Sequence, residues 1–185
     1  MNTGRSLALV LCAAGPASHA RQLIVEAQQR GWKVSVITTP AALDFIDVPA
    51  LEILTGNPVR SRHRKPGEPQ GPRMDAIIVA PATYNTINKW ANGSSDTYAL
   101  TLLAEAVNLD IPIVVVPFVN TALAARRPFQ RAIDDLRAEG VHIIYGPGQW
   151  EPHPPGSGSW YLKSFPWMAA LDRVEQLTGT ADAPR

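Results

Sequence analysis

Only one cysteine, Cys12, occurs in the 185 residues, so a disulfide within the chain or a cysteine-rich zinc site is excluded. Neither sign of charge dominates. Seventeen Lys and Arg stand against 16 Asp and Glu, a net charge of +1, which argues against nucleic-acid binding by bulk electrostatics. The one basic cluster, RSRHRK at 60–65, lies among Gly and Pro and reads as a solvated loop. Long hydrophobic runs are also missing: LALVLCAA (7–14) is far too short to cross a bilayer. Only Arg5 supplies a charge ahead of it and it runs straight into a helical pattern, so no membrane anchor or signal peptide is expected, and the cytoplasm is the expected compartment. Glycine-rich phosphate loops are absent as well. The turn after the first apolar run, CAAGPAS (12–18), contains neither GxGxxG nor GxxxxGK[ST], which excludes a dinucleotide fingerprint and a P-loop.

What is present is an alternation of short apolar runs with segments of helical period. Strands are expected at 6–13, 33–38, 75–81, 111–117 and 141–147. Helices are expected at 18–31, with Ser18 as N-cap and Gly31 as stop, near 41–46, and at 97–108, 126–139 and 166–177. Runs that are apolar throughout are buried on both faces, the mark of a parallel sheet covered by helices. The expectation is therefore an α/β fold, a doubly wound parallel sheet in a single domain over 1–185. Two stretches break the pattern, the Pro- and Gly-rich loop 56–73 and the flap 146–163. Both are candidate active-site lids.

In an open parallel sheet, ligands bind beyond the carboxyl ends of the strands. Four segments meet that edge: CAAGPAS (12–18), TTP (38–40), PATYNT (81–86) and PFVNT (117–121). Gly15 allows close backbone approach, and with Ser18 and Thr38 or Thr39 it forms a candidate phosphate site at the start of a helix. The plainer reading makes Ser18 an N-cap only and the threonines simple strand ends. Polar groups from several strand ends converging on one crevice suit a ligand with a phosphate, a polyol chain and a polar ring.

The stretch PATYNTINKWANGSSD (81–96) resembles the PASANT…K.ANG..D signature of the homo-oligomeric flavin-containing cysteine decarboxylases. PFVNTALAARRPF (117–129) resembles the family's second signature, Pro-x-Met-Asn-x-x-Met-Trp, and GWKVSVITTPAALDFI (31–46) is similar to the segment ending its second strand. The resemblance spans roughly residues 6–145. It implies a Rossmann-like, flavodoxin-like three-layer sandwich that binds flavin mononucleotide (FMN) where subunits meet, in a homo-oligomer such as a trimer or dodecamer. It also implies a lyase that oxidatively decarboxylates a cysteine-bearing peptide or small molecule. Carried over by position, Ala82, Thr83, Asn85 and Thr86 would line the cofactor, Ser18 and Thr39 would help hold its phosphate where Gly15 allows close approach, and Asn120 would stand near the flavin and the substrate carboxylate. No metal is implied. Hydroxyl and amide groups suit ribityl hydroxyls and a pyrimidine edge without adding charge.

The chain departs from the family in three places. The family's catalytic histidine would fall eight residues before Asp75, where Gly67 stands; His63, four residues earlier, would serve only if its loop folds back. The methionines and tryptophan of the second signature are Val119, Leu123 and Ala124. The flap, QWEPHPPGSGSWYLKS (149–164), lacks the cysteine of the phosphopantothenoylcysteine enzymes, while His153 within it lies where it would close over a ligand. The alternative function is accordingly an FMN-binding redox, carrier or regulatory subunit without decarboxylase activity.

Overall fold

The structure, a computed structural model, describes residues 4–68 and 73–181. Five strands, β1 (Ser6–Leu11), β2 (Lys33–Thr38), β3 (Ala76–Ala82), β4 (Ile113–Pro117) and β5 (His142–Ile143), form one sheet in the order β2-β1-β3-β4-β5, parallel throughout. This is the doubly wound arrangement expected. The chain winds one way from β1 to β2 and the other way from β3 to β5, so a crevice opens between the carboxyl ends of β1 and β3.

Strand alternation sorts the apolar side chains onto two faces. Leu7, Leu9 and Leu11 of β1, Ile78 of β3 and Val114 and Val116 of β4 pack with Leu23 and Ile24 of α1 (Arg21–Gln29) and with Ala170, Leu171 and Val174 of α7 (Trp167–Ala181). Val10, Ile77, Val79 and Val115 face the other way. They pack with α3 (Tyr84–Ala91), α4 (Tyr98–Ala106) and α6 (Arg127–Ala138). Helix α6 shows why that layer forms: Phe129, Ala132, Ile133 and Leu136 recur at helical spacing and are all buried. Burying a side chain such as Phe129 or Leu136 contributes about 1.5–3 kcal/mol. A four-residue helix α5 (Thr121–Ala124) follows β4, and α2 (Val48–Thr55), capped by Asp47, leads into the loop at 56.

Several local expectations are corrected. The first helix does not begin at Ser18. A 3-10 helix over Gly15–His19 comes first and α1 starts at Arg21, because Pro16 tightens the turn; Gly31 ends that region at φ 86° as expected. The segment at 40–45 is 3-10 and a true helix, α2, follows it. The polar run 84–91 is helical, since Thr86, Ile87 and Trp90 give α3 a buried stripe that its asparagines hide from a hydropathy reading. The last strand pairs over only two residues.

Candidate functional site

At the carboxyl edge of the sheet lies a cleft of about 640 Å³, within the size range of small-molecule sites. Each of the first four strands contributes to it: Ala13 and Ala14 after β1, Thr39 to Ala41 after β2, Thr83 to Thr86 at the end of β3, and Phe118 and Leu123 after β4. Lys89 of α3 and Thr97 and Leu100 from the start of α4 close the far wall. Among the described residues Lys89 is the one charged side chain on this lining, and it is paired with Asp96.

Several of these side chains also start helices. Thr83 caps α3, with Oγ1 accepting from Thr86 N at 3.3 Å, and its hydroxyl exchanges a hydrogen bond with Thr86 Oγ1 at 3.0 Å. Thr97 caps α4 in the same way. Asn120 caps α5, its Oδ1 accepting from Leu123 N at 2.9 Å; its Nδ2 has no hydrogen-bond partner among the described residues, and it lies off the lining, next to Phe118. Asn85 is exposed and its amide has no hydrogen-bond partner among the described residues. Cys12 lies beneath this cradle, fully buried at the end of β1. Burial pushes its thiol up in pKa, with contacts to Thr86 and Thr83 working the other way.

Thr39, Thr83, Asn85 and Thr86 are therefore brought together on one lining. Ala82 is buried in β3 directly before them. Gly15 and Ser18 are not on that lining. Ser18 is exposed and its hydroxyl donates to Gly15 O at 2.9 Å, so it caps no α-helix. Gly15 has a packing reason for lacking a side chain: a Cβ there would stand 2.7 Å from Leu162 Cδ2, where the flap crosses it. Thr38 is fully buried and its hydroxyl is unpaired, but it too lies off the lining. His63 is exposed; the loop at 56 does fold back, setting its ring edge-on to Tyr98 at 5.5 Å with Nε2 3.4 Å from Thr101 Oγ1 on α4. Gly67 occupies a turn at φ 88°, and residues 69–72 of this candidate lid lie outside the described residues.

The flap is fastened to the end of β4. Trp150 Nε1 donates to Pro117 O at 2.9 Å, and residue 153 pairs with Asn120 as a parallel bridge. Phe118, Trp150, His153, Tyr161 and Phe165 form one aromatic cluster there, while Trp160 is 82% exposed. Thr97 and Leu100 are lining residues that the sequence reading missed, while Lys89 and Phe118 lie in stretches it singled out without giving them a role. The one available signal was the cap pattern Thr97-x-x-Leu100 ahead of an apolar helix.

The flavoprotein family model matches residues 1–156. A probable phosphopantothenoylcysteine decarboxylase of Streptococcus mutans is 32% identical over 121 residues, 62% of this chain and 67% of that one. The coenzyme A biosynthesis bifunctional protein CoaBC of Bacillus subtilis is 30% identical over 145 residues, 74% of this chain. The chain spans 35% of that bifunctional relative's length. Among solved structures, the FMN-dependent cysteine decarboxylase TvaF from thioviridamide biosynthesis shares the fold at a TM-score of 0.72 and 21% identity, covering 95% of this chain and 98% of that one. A sheet in the order 2-1-3-4-5, a cleft at its carboxyl edge lined by hydroxyl and amide groups and a family match over most of the length agree: the chain belongs to the flavoprotein family.

Proposed function

We propose that this chain binds FMN in the cleft at the carboxyl edge of the sheet and oxidatively decarboxylates a peptide or small molecule bearing a cysteine. The observation that carries the reading is the lining itself. Four threonine hydroxyls, from Thr39, Thr83, Thr86 and Thr97, and the Asn85 amide, unpartnered among the described residues, line one space of about 640 Å³ that carries no carboxylate. That donor set fits a polyol chain and a heterocycle edge. Thr39 would hold the phosphate end; Ala82, Thr83, Asn85 and Thr86 would hold the rest, with Gly15 and Ser18 shaping the adjoining turn. Bound there, FMN would supply a two-electron acceptor. The residues of the chain then have separate tasks. Asn120, whose Nδ2 is unpartnered among the described residues, would hold the substrate carboxylate, and the flap with Trp160 would cover the substrate and exclude water. A peptide substrate suits this open aromatic flap.

Assembly belongs to the same proposal. Leu43, Phe45 and Leu123 are exposed near the cleft, at 37%, 41% and 38%, which supports a homo-oligomer in which a second copy covers the rim, as a trimer or a dodecamer, working in the cytoplasm. Among the described residues no helix is long and apolar enough to cross a membrane. The test is an absorbance spectrum of the purified protein with mass spectrometry of the released chromophore, alongside its solution mass. Incubation with C-terminal-cysteine peptides should then give a loss of about 46 Da, carbon dioxide plus two hydrogens. A colourless protein that cannot be reconstituted with FMN refutes the cofactor. A yellow protein that leaves every cysteine compound intact refutes the reaction and points to a carrier or regulatory subunit.

A further inference from the structure

The chain has four histidines, and their surroundings differ. His142 begins β5, with Nδ1 beside the Arg173 guanidinium at 3.2 Å. His19 contacts Ser18, and His63 stands exposed against Tyr98. His153 alone is buried, at 8% exposure. Its backbone brackets Asn120, since Thr121 N donates to His153 O at 2.8 Å and His153 N donates to Val119 O at 3.3 Å. Paired residues of neighbouring strands share a face, as do residues two apart along one strand. Phe118, Asn120 and His153 therefore stand together; Phe118 lines the cleft, and Asn120 and His153 adjoin it there without being on the lining themselves.

The ring itself is held on several sides. Its centroid is 4.8 Å from Phe118 and 5.7 Å from Tyr161, the latter nearly parallel at 27°. Gly158 lies against its edge; a Cβ there would stand 3.2 Å from Cε1 and 3.4 Å from Nε2, tighter than ordinary contact. Nδ1 is 3.0 Å from Pro154 O. A carbonyl only accepts, so Nδ1 carries the proton, and in the neutral ring Nε2 presents a lone pair. Nε2 has no hydrogen-bond partner among the described residues. The ring is largely buried, while Nε2 keeps contact with solvent and can meet a proton donor there.

We propose that His153 is the acid–base residue of this site, taking the substrate's thiol proton at Nε2 and returning it to sulfur once carbon dioxide has left. The inference rests on the decarboxylation proposed above, whose flavin is the two-electron oxidant. The atoms balance. The S–H bond breaks and its proton goes to Nε2 as a C=S bond forms; FMN, held by Thr39, Thr83, Asn85 and Thr86, would supply the two-electron oxidation this needs, Cβ giving up a hydrogen with its electron pair. The Cα–carboxylate bond then breaks. Its electron pair makes the Cα–Cβ double bond, sulfur regains negative charge, and the proton moves from Nε2 to sulfur. The imidazole ends as it began, so one residue completes the cycle without a second base. This also accounts for Gly67 at the position where a histidine is expected.

The titratable group packed on the ring is Tyr161. On the ring's own segment Glu151 accepts from Gly148 N at 3.4 Å, and the β4 end brings Phe118 and Asn120, neither of which titrates. The test uses the full chain loaded with FMN, with wild type, His153→Gln and His63→Gln mixed with a C-terminal-cysteine tripeptide while flavin bleaching is followed across the histidine pH range. His153→Gln should keep its FMN affinity, slow single-turnover bleaching about a hundred- to ten-thousandfold and lose the acid limb of the pH profile. In wild-type protein the His153 imidazole NMR signal should move with the cysteine-ended peptide and stay in place with its serine-ended analogue. A His153→Gln rate within about threefold of wild type with the acid limb intact, or the loss appearing in His63→Gln instead, overturns the assignment. A wild type that binds flavin yet turns nothing over refutes the reaction; if its His153 signal also ignores the thiol, this inference falls with it.

Discussion

Thr83→Ala separates the two tasks that one side chain performs, starting α3 and shaping the cleft. Its Oγ1 accepts from Thr86 N and shares a hydrogen bond with the Thr86 hydroxyl. Loss of the cap costs about 1 kcal/mol. Thr86 is only 4% exposed, so water does not replace the lost partner, and the neighbour that remains is the Cys12 thiol, a weak one. Leaving that hydroxyl poorly satisfied adds about 1 kcal/mol. The sum, about 2 kcal/mol, lowers Tm by about 4–8 °C for a chain of this length. Circular dichroism melts of the flavin-free protein measure it, and Thr83→Ser, which keeps the hydroxyl, should recover most of the loss. Titration with FMN should show Thr83→Ala weakened and Thr83→Ser close to wild type. An alanine variant melting within about 1 °C of wild type would refute the coupling of cap and buried hydroxyl.

Two further outcomes concern the scaffold. Burial raises the Cys12 pKa above its ordinary value, so the folded state favours the neutral thiol. Stability should hold steady below about pH 8.5, where the unfolded thiol is also neutral, and fall as pH rises through the folded value. Urea midpoints at neutral and alkaline pH should show a steeper decline for wild type than for Cys12→Ala, and equal slopes would count against this account. Arg30 bonds to Glu26 of α1 and reaches Asp172 and Glu175 of α7. Arg30→Ala should cost about 1 kcal/mol, given its partial exposure, visible as a Tm drop that shrinks at high salt; no change at low salt would show the network contributes nothing.

Much of the fold was legible because its strands are apolar end to end. That pattern allows little except burial on both faces, so the parallel sheet and its flanking helices followed from SLALVL, AIIVAPA and IVVVP alone. Helix α3 was not legible, because only three of its eight residues are buried and the polar Asn85, Asn88 and Lys89 interrupt their spacing. Ser18 misled for a related reason: a serine ahead of a helical pattern is a good N-cap, but Pro16 had already committed the chain to a 3-10 turn. Of the expected cofactor residues, the four that share the lining directly follow β2 or β3, Asn85 and Thr86 in the first turn of α3, where the strand end fixes side-chain position; Gly15 and Ser18 came from a 3-10 turn, where it does not.

The sequence by itself determined the layered architecture, the edge at which ligands bind and a neutral set of hydroxyl and amide groups there. These follow from local periodicity and from which residues end each strand. Only the tertiary structure decided where the flap lies. Nothing near residue 153 in the sequence indicates Asn120, yet a parallel bridge sets the two side by side and buries the imidazole between Phe118 and Tyr161. Such a contact joins residues 33 positions apart through backbone hydrogen bonds, which any sequence can make. The choice of partner is set by how the flap packs its aromatic side chains against the end of β4.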